Sequence, residues 1–183
     1  GGHGILLDTV GTTTIVGTSA SDRNVISGNA SDGIYIDGVA SGITIQGNYI
    51  GTASNGTTLI GNGAGSAGIF INTGQNNTIG GTAAGAGNVI AGNTDGIVIE
   101  ANGANQGNAI LGNSIHDNTQ IGIDLDNNGS EVNNGAYNTG KANDQIDQPV
   151  FTSATWDGST LTVAGYVGTA AGDTDFGNVR IEI

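Results

Sequence analysis

Cysteine and methionine are absent from this sequence, and proline occurs once. Without thiols there is no disulfide framework and no thiolate metal site. Charge is scarce too: 10% of the 183 residues are Asp, Glu, Lys or Arg, against about a quarter in an average globular chain. Bases are scarcest, with Arg23, Lys141 and Arg180 facing 16 acids for a formal net charge of −13. Phosphate binding needs clustered Lys and Arg, so nucleic acid is excluded as a partner, and an anionic membrane surface with it. No apolar run approaches the ~18 residues of a membrane span, which excludes membrane insertion. The opening Gly1-Gly-His-Gly4 is not an export signal, and Val179-Arg-Ile-Glu-Ile183 stops inside a strand-like pattern. Both ends read as cut from a larger protein, so a missing signal is uninformative.

What the chain has is glycine, 35 residues of it. At roughly 1 kcal/mol per glycine relative to alanine, such density excludes helix. The glycines punctuate a repeat. The pattern G-I-x-[IL]-[DNE] occurs at Gly4-Ile-Leu-Leu-Asp8, Gly33-Ile-Tyr-Ile-Asp37, Gly68-Ile-Phe-Ile-Asn72, Gly96-Ile-Val-Ile-Glu100 and Gly122-Ile-Asp-Leu-Asp126. Two further short apolar segments follow each of the first four copies. The second segments are Thr14-Ile-Val-Gly17, Thr44-Ile-Gln-Gly47, Thr78-Ile-Gly-Gly81 and Ala109-Ile-Leu-Gly112. The third are Asn24-Val-Ile-Ser27, Asn48-Tyr-Ile-Gly51, Asn88-Val-Ile-Ala91 and Asn113-Ser-Ile-His116.

Period-two alternation in segments this short predicts strands, three to a coil. Stacked at about 4.8 Å per rung, they form three parallel sheets around one core. The expected fold is all-β: a right-handed single-stranded parallel β-helix of about five coils and three short sheets over residues 1–126. The Ile and Leu of each repeat point inward. A longer period of about 64 residues is also visible, since Gly4 to Asn24 and Gly68 to Asn88 have the same spacing. The tracts 17–23, 51–58 and 81–87 are expected to be loops leaving the helix on one side. Asn29, Asn62, Asn93 and Asn118 recur where the chain turns back, and predict a hydrogen-bonded ladder in left-handed backbone.

The repeat stops after Asp126. Residues 127–148 are polar and aperiodic, a loop or linker. Then come Pro149–Trp156, an Asp157-Gly158 turn and Thr160–Val167, a hairpin pattern, with a third run from Asn178 to Ile183. Residues 149–183 read as an antiparallel cap on the helix end or the start of a truncated sandwich domain.

The run Gly47-Asn-Tyr-Ile-Gly-Thr52, Asn77-Thr-Ile-Gly-Gly-Thr82 with Gly87-Asn-Val-Ile90, and Gly122-Ile-Asp-Leu-Asp126 ahead of Pro149-Val150 resemble the β-helix region of large bacterial extracellular and surface proteins. That region belongs to the pectate-lyase-like β-helix superfamily. The resemblance covers about residues 4–156. It implies export to the cell surface and neighbouring modules of the same protein as partners. It also implies one of two roles, a structural or adhesive stalk or a polysaccharide lyase, hydrolase or epimerase.

One surface carries the candidate chemistry. Leu6, Tyr35, Phe70, Val98 and Asp124 alternate outward on the first sheet, with Asp8, Asp37, Asn72, Glu100 and Asp126 two residues further on. A saccharide chain suits such a face, its rings on Tyr35 and Phe70 and its hydroxyls on Asp37, Asn72 and Glu100. Asp37, Glu100 and Asp126 are the candidate catalytic carboxylates: adjacent rungs place acids about 5 Å apart, and Asp124 to Asp126 spans about 7 Å, near the separations glycosidases use. Against this, uronate chemistry wants a base, and the helix region has only Arg23, in a loop. Asp124, Asp126 and Asn128, in D-L-D-N-N-G, match the opening of a Ca²⁺ loop, although an EF-hand's closing Glu would fall on Gly135. Gly135–Lys141 fails as a P-loop because Ala142 replaces Ser/Thr. His3 and His116 lack ligand partners and read as surface residues.

Overall fold

The computed structural model describes residues 2–9, 11–38, 40–102 and 105–173. The first coil holds β1 (Ile5–Asp8), β2 (Thr14–Val16) and β3 (Val25–Ile26). The second holds β4 (Ile34–Asp37), β5 (Ala40–Ser41), β6 (Thr44–Gln46) and β7 (Tyr49–Ile50). The third holds β8 (Ala67–Ile71), β9 (Gly74–Gln75), β10 (Thr78–Gly80) and β11 (Val89–Ala91). The fourth holds β12 (Asp95–Glu100), β13 (Ala109–Leu111) and β14 (Ser114–His116), and β15 (Ile123–Asp126) opens a fifth. The strands stack into sheets β1-β4-β8-β12-β15, β2-β6-β10-β13 and β3-β7-β11-β14. All the pairings are parallel. This is a parallel β-helix with an antiparallel hairpin, β16 (Pro149–Trp156) and β17 (Leu161–Val167), at its C-terminal end.

Alternation accounts for the core. Ile34, Ile36, Ile69, Ile71, Ile97 and Ile99 of the first sheet are fully buried, as are Ile45 and Ile79 of the second and Ile50 and Ile90 of the third. Each contributes roughly 1.5–3 kcal/mol of burial. Register stacks like on like, Ile34 on Ile69 and Ile97 on Ile123.

Asparagine ladders line the corners. Asn29, Asn62, Asn93 and Asn118 form the expected one, each Nδ2 donating to the next Oδ1 at 2.8, 2.8 and 3.2 Å. Two more exist: Asn24–Asn48–Asn88–Asn113, and Asn77–Asn108 continued by Asn143. The backbone differs from expectation. The left-handed residue precedes the asparagine, at Gly28 (φ +67), Gly92 (φ +77) and Asp117 (φ +52). That residue turns the chain, which frees the asparagine to aim its carboxamide along the axis. The repeat's leading glycine answers to the same ladder. A Cβ on Gly33 would lie 2.9 Å from Asn62 Nδ2 and 2.6 Å from the Gly68 carbonyl oxygen.

The loops occupy two corners rather than one side. Residues 17–23 and 81–87 both join the second sheet to the third, whereas 51–58 follows the third sheet, its turn pinned by a Thr52–Leu59 bridge. Each loop leaves wherever its coil has residues to spare, and the second coil's surplus falls after β7.

Within 127–148, a 3-10 turn at Ala142–Gln145 packs on the last coil. Ala142 is fully buried, its N–H donating to Asp126 Oδ1 at 2.9 Å, and Asn143 N donates to the Asn105 carbonyl. The hairpin stands away from the core, with Phe151, Trp156 and Leu161 about half or more exposed. The run from Asn178 to Ile183 lies outside the described residues. Among the described residues, no helix is long and apolar enough to cross a membrane.

Candidate functional site: the outer face of the first sheet

Strand register sets Leu6, Tyr35, Phe70, Val98 and Asp124 side by side along the axis. Exposure falls along the row: Leu6 is open, Tyr35 and Phe70 are half-buried, and Val98 and Asp124 are buried. Leu6 lies on the end strand of the sheet, and at the other end the chain after β15 closes over Asp124. It folds back so that Asn127 Nδ2 donates to Glu100 Oε2 (3.0 Å), while the N–H groups of Asn128 and Gly129 donate to the Asp124 carboxylate (3.3 and 3.1 Å).

The rings are arranged differently from a sugar platform. Tyr35 and Phe70 lie 5.4 Å apart with planes 11° from parallel, too close for two rings lying edge to edge in one plane. They stack along the axis. His3 adds a third ring, 4.3 Å from Tyr35 at 28°. Both faces of Tyr35 are therefore spent on neighbours, and ring edges and the phenol point outward. Burial raises the Tyr35 pKa above the ordinary tyrosine value, and Asp37, Asp32 and Glu100 add to the effect.

His3 is held by more than stacking. Its Nδ1 sits 3.0 Å from Asp32 Oδ2, and Asp32 Oδ1 accepts the Ala67 N–H at 2.7 Å. His3 is partly exposed, and its neighbours fix it on this outer face. The signal was in the repeat: His3 precedes Gly4 as Asp32 precedes Gly33 and Ala67 precedes Gly68, so the three share one position on successive coils. Thr73 was also missed.

Asp37 and Asn72 meet as expected. Asp37 Oδ1 accepts from Thr73 Oγ1 (2.7 Å), Gly38 N (2.8 Å) and Asn72 Nδ2 (3.0 Å). These donors, the Thr73 hydroxyl foremost, hold the Asp37 pKa below its ordinary value. Glu100 lies on the fourth coil, tied to Asn127 and to the Ala101 N–H. Asp126 follows on the fifth, in register with Glu100, and its buried carboxylate pairs with Lys141 Nζ at 2.9 Å.

Asp124, Asp126 and Asn128, the expected Ca²⁺ residues, bond to different partners. Asp126 is turned to Lys141 and Ala142, and Asp124 accepts the backbone N–H groups of Asn128 and Gly129. Among the described residues no group of three or more His, Cys, Asp or Glu is placed to hold a metal. Burial raises the Asp124 pKa, partly offset by the Gly129 and Asn128 N–H groups, with Asp95 and Glu131 adding to the rise.

Both described bases are already paired: Lys141 with the candidate carboxylate Asp126, and Arg23 with the Tyr49 ring (4.9 Å) and the Gly47 carbonyl (3.3 Å). A cleft of about 90 Å³ lies at the C-terminal end of the core, against Ile123, Leu125, Val132 and Ile146. No protein-family model and no solved structure matches the chain.

Proposed function

We propose that this chain is a structural or adhesive β-helix module of a large exported bacterial surface protein, as its resemblance to pectate-lyase-like β-helix regions implies. One observation carries the reading: side chains on the corners and on the outer face bond along the axis, coil to coil. Asn29, Asn62, Asn93 and Asn118 do so at a corner, and His3, Tyr35 and Phe70 do so on the face. Groups used this way stiffen a rod. The acidic, base-poor composition suits an outer surface that stays solvated.

A second reading places polysaccharide recognition or processing on the same face. It draws on the Tyr35 edge and the neighbouring strip of Asp37, Asn72 and Thr73. Ring stacking on a sugar would require Tyr35 and Phe70 to part, which the scaffold reading does not. The test is a glycan panel probed for binding, with release of reducing ends and unsaturated uronates followed in parallel. The scaffold reading expects no turnover on any polysaccharide. Turnover that disappears in Asp37→Asn would overturn it and establish the second.

A further inference from the structure

Asp126 ends β15, the last strand of the first sheet, and its side chain has no solvent exposure. Its two oxygens meet different partners. Oδ1 accepts the Ala142 N–H at 2.9 Å, and Oδ2 lies 2.9 Å from Lys141 Nζ. The carboxyl group therefore sits between a backbone N–H and an amine. A carboxylate buried this deeply keeps its charge at a desolvation cost, which a single half-exposed ammonium offsets only in part.

Both partners are held by unusual backbone. Asp126 (φ +79) and Asn127 (φ +53) are left-handed where the chain leaves β15, and so are Asn143, Asp144 and Gln145 (φ +46, +55 and +46) just after Lys141 and Ala142. Left-handed backbone outside glycine costs energy and gathers at sites where it positions a group. The Lys141 N–H donates to the Asn138 carbonyl (3.0 Å), and the Lys141 carbonyl accepts from Gln106 Nε2. Glu131 lies near enough for its charge to act on Lys141.

We propose that Lys141 and Asp126 join in an intramolecular amide, a side-chain cross-link that the folded chain forms by itself. The ammonium passes one proton to Oδ2, and the neutral Nζ attacks Cγ to form the C–N bond. Charge builds on Oδ1, where the Ala142 N–H already points, as in an oxyanion hole. The Cγ–Oδ2 bond then breaks and the oxygen leaves as water. Of the three ammonium protons, one stays on the amide nitrogen and two leave in that water, the second relayed by Glu131. Nothing is oxidised or reduced, and no co-reactant is needed. The product carries neither charge, so the buried site no longer holds an ion. It ties the end of the first sheet to the 3-10 turn across residues 127–140. The proposal rests on the contacts of Asp126 and is independent of what the outer face binds.

The test is the intact mass of the full chain, unfolded immediately before measurement, both fresh and after days at neutral pH. The expected product is one water lighter than the sequence, and chymotryptic digestion should yield a branched peptide joining Lys141 to Asp126. Lys141→Arg, with its fold checked by circular dichroism, should keep the full sequence mass. Glu131→Gln should slow formation by about a hundredfold. A chain still at full mass after incubation would overturn the proposal. So would a water loss that persists in Lys141→Arg, because that marks cyclisation of an aspartate such as Asp157 before Gly158. An unchanged rate in Glu131→Gln would overturn the relay assigned to Glu131.

Discussion

Asn93 shows how much one side chain carries in this fold. Its carboxamide accepts from Asn62 and donates to Asn118 and to the carbonyls of Ile50 and Ala91, at 1% exposure. Asn93→Ala strands several buried polar groups at once. The expected cost is about 2–4 kcal/mol, from roughly 1–3 kcal/mol per orphaned group with partial relaxation, measured as a drop in the urea midpoint at constant slope. Two aspartates should make stability depend on pH with opposite signs. Asp37 has a lowered folded pKa, so its contribution is present above the unfolded value of about 3.9 and is lost as pH falls through the folded one. Asp124 has a raised folded pKa, so the folded state binds the proton first and its term improves as pH falls through that higher value. Urea titrations between pH 7 and 3 should therefore show Asp37→Asn reducing the acid loss and Asp124→Asn removing an offsetting gain. Equal slopes for both variants would refute the assignment.

At the scale of the strand, the glycine that opens each repeat is a spacing device. A Cβ on Gly68 would sit 2.7 Å from Ile90 Cγ2 and 2.8 Å from the Gly96 carbonyl oxygen, whereas on Gly122 the nearest atom is Ile115 Cγ2 at 3.5 Å. Gly68→Ala should cost about 1–3 kcal/mol through overpacking, and Gly122→Ala little; paired melting curves decide it. Strands were also the most legible level. Ile34, Ile36 and their counterparts followed from alternation because periodicity fixes which side a residue faces. It does not fix how a ring is turned about its own bonds, so Tyr35 and Phe70 were placed on the right face with their planes misjudged. His3 escaped because its partners lie one coil away. The reach of Asp126 for Lys141 escaped because aperiodic sequence says nothing about where a loop returns.

For the molecule as a whole, the helix and the hairpin differ in how they are held. The helix has a continuous isoleucine core, while β16 and β17 pair chiefly with each other and leave Trp156 64% exposed. A two-stranded hairpin is marginal alone. Trp156 is the single tryptophan, so its fluorescence reports the hairpin and far-ultraviolet circular dichroism reports the helix. The two urea transitions should fail to coincide, with the tryptophan changing first and by a small red shift. Coincident transitions would mean that the hairpin is locked to the rod. The carboxamides have one more effect at this scale. In each ladder the oxygen points toward the β1 end and the nitrogen toward the next coil, so their dipoles add along the axis, as peptide dipoles do in an α-helix. Parallel stacking repeats that sum at every corner where a ladder runs. The rod therefore has an electrical direction, with its negative pole at the first coil.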